Sequence, residues 1–229
     1  MRYPGSELPL FAHAKNFHRY YLDLFGEHVR GRVLEVGGGM GTLTGLLLDR
    51  GISGLTVCEP DPALAHELAT RFASDVRVIR GTLEDVPASL GLFDTVVYVD
   101  VLEHVEDDAG EIRLAASRLA PGGSLVIGGP AHQWLYSPFD TVIGHHRRYD
   151  RRMVARLVAG CPDLRLVHFA YFDCLGVAVS LLNRWVVRRT TPTTRDIMVW
   201  DTRILPISRQ LDPLLGHRVG KSFVAIACL

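Results

Sequence analysis

Short apolar runs alternate with helix-like runs between residues 32 and 128, and this alternation constrains the fold more than any other feature. Strands are predicted at 32–36, 55–58, 76–79, 95–99 and 124–127. Strands that alternate with helices form a parallel sheet covered by helices on both faces. The apolar run 222–228 could add a last strand. The sequence therefore predicts an α/β fold, in which ligands bind at the carboxyl ends of the strands.

Helix-start signals support this order of elements. Asp61 precedes Pro62, as expected of an N-cap and the first helical residue. Asp107 can begin another helix, which we expect to carry Leu119 on its apolar side and to end before Pro121. A long loop without a clear period, 129–150, precedes a predicted helix at 152–159 and a predicted strand at 164–169.

Composition indicates a single globular domain, residues 1–229. Charged residues make up 22% and the formal net charge is zero, so no broad cationic field favours nucleic acid. The four cysteines form no C-x-x-C pair, which favours reduced core cysteines. The N-terminus lacks an apolar run of signal-peptide type, and no run approaches the roughly 20 residues that span a bilayer. We therefore expect a cytoplasmic protein.

The turn after the first predicted strand is rich in glycine and begins with an acid. It reads Glu35-Val36-Gly37-Gly38-Gly39-Met40-Gly41. Glycines allow a sharp turn and a close approach of a ligand to the backbone, although a tight turn alone would also explain them. A dinucleotide site has the spacing G-x-G-x-x-G, whereas the spacing here is G-x-G-x-G. The acid disfavours a pyrophosphate and suits a ligand with a positive sulfonium and ammonium.

Acids also follow the next predicted strands. Glu59 comes about twenty residues after the glycines, where a carboxylate can accept both hydroxyls of a ribose or can simply be solvated. The fourth strand leads into Asp100, Glu103 and His104. Because the carboxyl ends of parallel strands meet at one edge of a sheet, we expect these side chains to surround one ligand.

Four segments together resemble successive motifs of class I S-adenosylmethionine-dependent methyltransferases. They are VLEVGGGMGTLT, VCEPDP, FDTVVYVDVLEHVEDD and LAPGGSLVIGGP, in this order. The resemblance implies a Rossmann-like, seven-stranded, mostly parallel sheet with one antiparallel strand, for which 222–228 is the candidate. It implies S-adenosylmethionine as the cofactor, a cofactor-binding core at 31–130 and a helical cap at 1–30.

The resemblance also assigns cofactor-binding residues: Tyr20, Glu35, Gly37, Gly39, Glu59, Pro60, Leu83 and Asp100. The two glycines would lie under the methionine part of the cofactor, Glu59 would hold the ribose, and Leu83 would lie beside the adenine. Tyr20 could close over the cofactor or could pack its helix on the sheet. Many relatives have an acid where this chain has Thr82, so that either Glu84 or Asp85 makes the adenine contact here, or the contact is absent.

The loop 131–150 is similar to the acceptor loop of a bacterial methyltransferase subgroup with P-A-H, F-D and G-H-x-R-R-Y motifs, which includes carbohydrate O-methyltransferases. The implied acceptor-binding residues are His132, Asp140, His146, Arg147, Arg148 and Tyr149. The implied reaction is O-methylation of a sugar, a glycolipid or polysaccharide precursor, or a natural product. N- or C-methylation of a small metabolite, and a non-catalytic S-adenosylmethionine-binding partner protein, are the alternatives.

Methyl transfer to a hydroxyl benefits from a base that takes the hydroxyl proton, and histidine suits this near neutral pH. His145 stands at the shared position of the subgroup pattern and is the first candidate for the base. His104 is the second, and either histidine could instead be structural.

The charged residues around these histidines have alternative uses. Arg147 and Arg148 could bind an anionic acceptor with bidentate hydrogen bonds, or could pair with acids. The cluster of Asp100, Glu103, His104, Asp140 and His145 could coordinate a divalent ion such as Mg²⁺, which prefers oxygen ligands. No compact ligand spacing in the sequence supports a metal site.

Residues 172–220 look like an inserted helical segment, which we predict forms a lid over the acceptor. Asp173 can cap a helix with Leu175, Val179, Leu182 and Val186 on one side and Val177, Leu181 and Trp185 on another. A helix with apolar residues on more than one face should be buried twice, against the sheet and against the acceptor, a second subunit of a homodimer or a membrane surface. Arg184, Arg188 and Arg189 near its C-terminal end fit the helix dipole and could meet lipid phosphates. Packing beneath 192–215 is the plain alternative.

Overall fold

The computed structural model describes residues 8–183 and 191–229, which form a seven-stranded sheet. The strands are β1 Arg32–Val36, β2 Gly54–Glu59, β3 Val76–Arg80, β4 Phe93–Val99, β5 Leu119–Pro130, β6 Arg165–Phe172 and β7 Ser222–Cys228, in the order β3-β2-β1-β4-β5-β7-β6. β1 to β5 pair in parallel, and β7 is antiparallel to both of its neighbours. The predicted Rossmann-like sheet is confirmed.

Helices cover both faces of the sheet. They are α1 Leu8–Phe11, α2 Lys15–Phe25, α3 Thr42–Asp49, α4 Pro62–Arg71, α5 Asp108–Ser117, α6 Pro138–Val142, α7 Arg151–Ala159, α8 Cys174–Leu182, α9 Thr194–Val199 and α10 Leu205–Leu214. Each face packs its own apolar core. On β4, Val96 and Tyr98 belong to one core and Val97 to the other, because successive strand residues point to opposite faces.

The predicted helix starts are confirmed, but one predicted helix end is wrong. Asp61 accepts a hydrogen bond from the backbone N–H of Ala63 at 2.8 Å and caps α4. The helix α5 stops at Ser117, and Leu119 already pairs with Phe93 of β4. The pairing register shifts beyond this point, so the Pro-Gly-Gly sequence lies in an irregular stretch of β5 and does not mark the end of the helix.

The C-terminal segment holds the N-terminal helix in place. Asp201, in a π-helical turn at Trp200–Ile204, accepts hydrogen bonds from the backbone N–H groups of Asn16 and Phe17 at 3.1 and 2.9 Å. Asn16 returns a side-chain hydrogen bond to the Asp201 carbonyl at 3.1 Å. A buried carboxylate thus satisfies backbone donors at the start of α2, which otherwise have no partner within the helix.

The predicted insertion at 172–220 is helical in its described part, with α8, α9 and α10. Asp173 caps α8 as predicted, with its carboxylate accepting from the Gly176 N–H at 3.0 Å. The predicted positions Arg184, Trp185, Val186, Arg188 and Arg189 lie outside the described residues. Within 8–183 and 191–229, no helix has both the length and the apolar character that crossing a membrane requires.

Candidate active site

A cavity of about 750 Å³ lies at the carboxyl edge of the parallel strands. The glycine turn after β1, the end of β4, the loop 131–150, α8 and α9 contribute its walls. The predicted site residues that line it are Glu35, Gly37, Gly39, Asp100, His104, Asp140, His145 and Arg148. The fold therefore brings the glycine turn and the loop 131–150 to one space.

The first glycine of the turn has a conformation that few other residues adopt. Gly37 has φ of 78°, and its N–H donates to the Cys58 carbonyl at 2.9 Å. A side chain at this position would also collide with Val101. Glycine is therefore required both by the backbone angle and by the space, and it leaves bare backbone that a ligand can approach closely.

Glu35 lines the cavity but is almost fully buried. The Thr44 hydroxyl donates to its carboxylate at 2.8 Å. Burial raises the pKa of Glu35 to about 8, although the hydrogen bond from Thr44 opposes this rise. A cationic ligand group favours the ionised form of such a carboxyl. The sulfonium and ammonium of S-adenosylmethionine fit this position.

Glu59 accepts hydrogen bonds from the two loops beside it. One carboxylate oxygen accepts from the Gly39 N–H and the other from the Asp61 N–H, both at 2.8 Å. Glu59 is buried and does not line the cavity, and neither do Pro60 and Leu83. The contacts of Glu59 and Pro60 with the ribose, and of Leu83 with the adenine, stay predictions.

Asp100 lies at the end of β4 in a backbone conformation unusual for its type. Its φ is 55°, and its N–H donates to the Gly128 carbonyl at 3.0 Å. The Tyr21 hydroxyl donates to its carboxylate at 3.1 Å. The surrounding protein raises the pKa of Asp100 above its usual range by partial desolvation, although the side chain is open to the cavity. The turn thus holds a carboxyl group at the cavity, beside the glycine turn.

The loop 131–150 is closed at its base and contains the short helix α6, where the sequence showed no periodic pattern. The His132 N–H donates to the Tyr149 carbonyl at 2.8 Å, and the Tyr149 N–H donates to the Pro130 carbonyl at 3.0 Å. Asp140 caps the start of α6, accepting from both the N–H and the hydroxyl of Ser137 at 2.8 Å.

Asp140 also joins Arg148 and His145 inside the loop. Arg148 donates to it through Nε at 2.8 Å and through Nη2 at 3.0 Å, and His145 Nδ1 lies 3.0 Å from Oδ1. Burial disfavours the carboxylate, but the hydrogen bond from His145 and the charge of Arg148 outweigh it and hold the pKa of Asp140 below its usual range. Arg148 was predicted either to bind an anionic acceptor or to pair with an acid, and in the structure it pairs with Asp140.

The ionised Asp140 fixes the tautomer of His145. A carboxylate only accepts hydrogen bonds, so His145 Nδ1 carries a proton, and in the neutral form of the ring Nε2 is the acceptor nitrogen. Nε2 lies 3.8 Å from Oε1 of Glu103. The ring is held further by its own backbone, because the Tyr136 hydroxyl donates to the His145 carbonyl at 2.6 Å. Two hydrogen bonds therefore fix the orientation of His145 at the cavity wall.

Glu103 completes this part of the wall. It is 1% exposed, and neither carboxylate oxygen has a hydrogen-bond partner among the described residues. Burial, followed by the neighbouring charge of Asp100, raises the pKa of Glu103 well above its usual range. An orphaned, buried polar group of this kind indicates a site for a ligand or a metal ion.

His104 packs against His145, with ring centroids 4.6 Å apart. Burial lowers the pKa of His104 to about 4, and the neighbouring His145 adds to the effect, so the imidazole is neutral at pH 7. Glu103, His104 and His145 each offer a ligand atom within 4.8 Å of the others. In the described part of the chain this trio forms the candidate metal cluster, and the predicted ligands Asp100 and Asp140 are not part of it.

Four predicted acceptor-binding residues do not line the cavity: His132, His146, Arg147 and Tyr149. Tyr149 is buried in the core, and its hydroxyl donates to Asp108 at 2.9 Å. Arg147 pairs with the same Asp108 at 2.6 Å. His132 stacks on Tyr171 with ring centroids 4.5 Å apart, and His146 is exposed. These contacts occupy the side chains of Tyr149, Arg147 and His132, and the acceptor-binding role of all four residues stays a prediction.

Tyr20 adopts the packing alternative. Its hydroxyl donates to Asp212 of α10 at 3.0 Å, and its ring packs edge-on against Phe172 at 5.1 Å. Tyr20 does not line the cavity. The sequence left open whether Glu84 or Asp85 contacts the adenine. In the structure the Asp85 carboxylate already accepts a hydrogen bond from the Thr82 N–H at 2.9 Å.

Sequence reasoning missed two features of the cavity. Lys221, just before β7, has its ammonium 4.9 Å from the ring centroid of Trp200, and both residues line the cavity. Lys221 is one of only two lysines in the chain, and this rarity is the sequence feature that could have drawn attention to it. The second feature is an apolar wall, formed by Leu8, Phe11, Leu135, Phe139, Ile143, Val179, Leu182 and Ile197.

Residues 11–173 match the family model described as a methyltransferase domain. A ubiquinone biosynthesis O-methyltransferase of Xanthomonas euvesicatoria pv. vesicatoria is 37% identical over 130 residues, which cover 54% of this chain and 52% of that protein. The chain thus spans about half the length of these curated relatives.

Solved structures share the fold across nearly the whole chain. A SAM-dependent methyltransferase from Archaeoglobus fulgidus has a TM-score of 0.61 at 16% identity, covering 94% of each chain. The N-methyltransferase NodS from Bradyrhizobium japonicum, in complex with S-adenosyl-l-homocysteine, has a TM-score of 0.59 at 17% identity, covering 93% of this chain and 86% of that one. At such identities the likeness concerns the fold.

Proposed function

Because this chain belongs to the methyltransferase domain family and has the fold of S-adenosylmethionine-dependent methyltransferases, we propose that it methylates a hydroxyl group of a small acceptor with His145 as general base. S-adenosylmethionine, when bound, supplies an electrophilic methyl group. Glu35 and the backbone of Gly37 would hold its methionine end, because bare backbone and a carboxyl that favours a cationic partner meet there.

The arrangement of Asp140, His145 and Glu103 carries the proposal. Asp140 holds the imidazole of His145 at the cavity wall, and Oε1 of the buried Glu103 lies 3.8 Å from its Nε2. With the cofactor bound, His145 Nε2 would take the hydroxyl proton and Asp140 would stabilise the resulting imidazolium, while the cofactor would give up its methyl group from the sulfonium sulfur and leave as the neutral thioether S-adenosylhomocysteine. Such a base typically contributes about 10²–10⁴-fold to the rate.

The cavity lining supports an acceptor with a polar head and an apolar body. Its polar groups gather around His145, Asp100 and Lys221, and its remaining wall is largely apolar. A glycolipid, a lipid-linked sugar or a hydroxylated aromatic natural product meets this description better than a free sugar. The relatives named for O-methylation in ubiquinone biosynthesis favour oxygen over nitrogen or carbon as the methylated atom.

The non-catalytic alternative, a partner protein that only binds the cofactor, has less support. A silent scaffold does not need a buried acid that fixes the tautomer of a histidine at the cavity wall. Beside it, a buried Glu103 without hydrogen-bond partners among the described residues is costly, and a purely structural wall does not require it.

The test is methyl transfer by His145→Ala, measured as S-adenosylhomocysteine release with catechols, alkyl glycosides and lipid-linked sugars as acceptors. We expect turnover to fall about 10²–10⁴-fold with unchanged S-adenosylhomocysteine affinity, since the base acts only on the acceptor. His66→Ala, at an exposed position of α4, is the matched control. Wild-type turnover in His145→Ala would refute the assignment.

A divalent metal ion is a second candidate for activating the hydroxyl, because Glu103, His104 and His145 cluster within ligand distance. Two imidazoles and one carboxylate suit Zn²⁺, Mn²⁺ or Fe²⁺ better than Mg²⁺. Chelation followed by titration with each ion distinguishes the two mechanisms. Turnover that survives chelation supports the general base, whereas turnover that Mn²⁺ restores, but not in His104→Ala, supports the metal.

A further inference from the structure

Lys221 lies at the centre of the cavity edge, and hydrogen bonds fix its backbone on both sides. Its N–H donates to the Asp173 carbonyl at 3.1 Å, and its carbonyl accepts from the Ala131 N–H at 2.8 Å. It directly precedes β7, whose first residue pairs with Pro130 at the end of β5. Lys221 therefore stands between the loop 131–150 and α8, on the acceptor side of the cavity.

Few interactions among the described residues stabilise the Lys221 ammonium. The ammonium lies over the face of the Trp200 ring, 4.9 Å from its centroid. No carboxylate in residues 8–183 or 191–229 forms an ion pair with it. An ammonium has three hydrogen-bond donors, so this group can bind an acceptor group that enters the cavity.

The acids nearest to Lys221 are already hydrogen-bonded elsewhere. Asp173 accepts from the Gly176 N–H at 3.0 Å, the Ser208 hydroxyl at 2.8 Å and the Trp200 indole N–H at 2.9 Å. Both oxygens of Asp140 are used by its own loop. Asp100 accepts from Tyr21, and its carboxyl is shifted towards the neutral form.

A second cation lies on the same cavity. Arg148 uses Nε and Nη2 on Asp140, while its buried Nη1 has no hydrogen-bond partner in the described residues. Burial lowers the pKa of Lys221 and the charge of Arg148 adds to this, while the charges of Asp173, Asp140 and Asp100 oppose it. An anion placed beside Lys221 would favour its charged form and accept hydrogen bonds from the ammonium.

We propose that Lys221, supported by the charge of Arg148, forms a subsite for a carboxylate or phosphate group carried by the acceptor. The inference rests on the proposed function for the identity of the cavity, and it assigns the acceptor to the anionic class. A hydroxylated acid and a phosphate-linked lipid sugar both offer this oxyanion. Trp200 holds the ammonium towards the cavity without neutralising it.

The test measures binding to the full chain saturated with S-adenosylhomocysteine, so it does not require methyl transfer. The probes are two matched pairs, benzoate with benzamide and phenyl phosphate with phenol. We expect one or both anions to bind at least tenfold more tightly than their neutral partners, with a preference that weakens as salt rises. Lys221→Met should abolish this preference, and Lys221→Arg should retain part of it.

Arg151→Met is the matched control, because Arg151 also lies over an aromatic ring, Phe169 at 6.0 Å, but outside the cavity. It should leave the preference unchanged. Equal binding of the charged and neutral probes by the wild-type protein would overturn the proposal even if Lys221→Met fails to fold. A preference that persists in Lys221→Met would also overturn it, as would a loss of S-adenosylhomocysteine affinity alone, which would assign Lys221 to the cofactor.

Discussion

Glu59 has two tasks that its single carboxylate must share. It accepts hydrogen bonds from Gly39 and Asp61, and it is the residue that the family resemblance places at the ribose. A carboxylate has about four lone-pair sites, so two backbone donors and two ribose hydroxyls can be accommodated together. The hydrogen bonds seen here shape the loops around the site that the ribose would enter.

We expect Glu59→Gln to weaken S-adenosylhomocysteine binding by about 1.5–3 kcal/mol, the value typical of hydrogen bonds to a charged group. The amide preserves volume but loses charge and one acceptor. Isothermal titration measures the effect, with Glu67→Gln at an exposed position of α4 as the control. Equal affinity of Glu59→Gln and wild type would remove Glu59 from the ribose site.

Single residues were predictable from sequence where a local rule decided their environment. Asp61 and Asp173 cap helices because short acidic side chains reach the N–H groups of the next turn. Packing was an alternative for Tyr20 and acid pairing one for Arg147, but the sequence could not name the partners Asp212 and Asp108, because both are distant in sequence.

The helix α8 has the position expected of the predicted lid. Val179 and Leu182 line the cavity, together with Ile197 of α9. Leu182 is 56% exposed, so it adds little to the core but can cover an acceptor. This placement supports the acceptor as the second surface against which the apolar helix packs.

Leu182→Ser should therefore raise the KM for an apolar acceptor about fivefold, which corresponds to about 1 kcal/mol of lost burial. S-adenosylhomocysteine affinity and the melting temperature should hardly change. Leu214→Ser is the matched control, because Leu214 is 82% exposed and does not line the cavity. A lower melting temperature at unchanged KM would show that α8 is part of the core and not a lid.

Regular elements followed from the sequence, whereas the acceptor loop did not. The strand 32–36 and the strand 222–228 have the predicted bounds, since continuous apolar runs mark buried strands. The loop 131–150 has no period, because the hydrogen bonds of Asp140 to Ser137, His145 and Arg148 organise it in place of an apolar stripe.

At the scale of the whole molecule, the sheet edge gathers carboxyl groups that would not share one space without a ligand. Glu35, Asp100 and Glu103 all line the cavity, and desolvation raises the pKa of each, most fully for the buried Glu35 and Glu103 and only in part for Asp100, which is open to the cavity. The motif order predicted this meeting of strand ends. It could not predict the protonation of the acids, because burial depends on the packed structure.

Glu35 should make stability depend on pH in a defined direction. Its pKa is about 8 when folded and near 4.5 when unfolded, so the stability it contributes is complete below pH 4.5 and is lost as pH rises towards 8. In that window the unfolded state binds fewer protons, and the free energy of unfolding should fall by up to about 1.4 kcal/mol per pH unit from this group.

Urea unfolding of wild type and Glu35→Gln between pH 5 and pH 8 isolates this contribution, since the amide cannot ionise. We expect the wild type to lose stability relative to Glu35→Gln as pH rises, while Glu67→Gln should parallel the wild type because that side chain is exposed. Saturating S-adenosylhomocysteine should reduce the slope, because its ammonium favours the ionised carboxyl. Parallel curves for wild type and Glu35→Gln without ligand would show that Glu35 is already ionised in the folded protein, and the electrostatic argument for its role at the cofactor would fail.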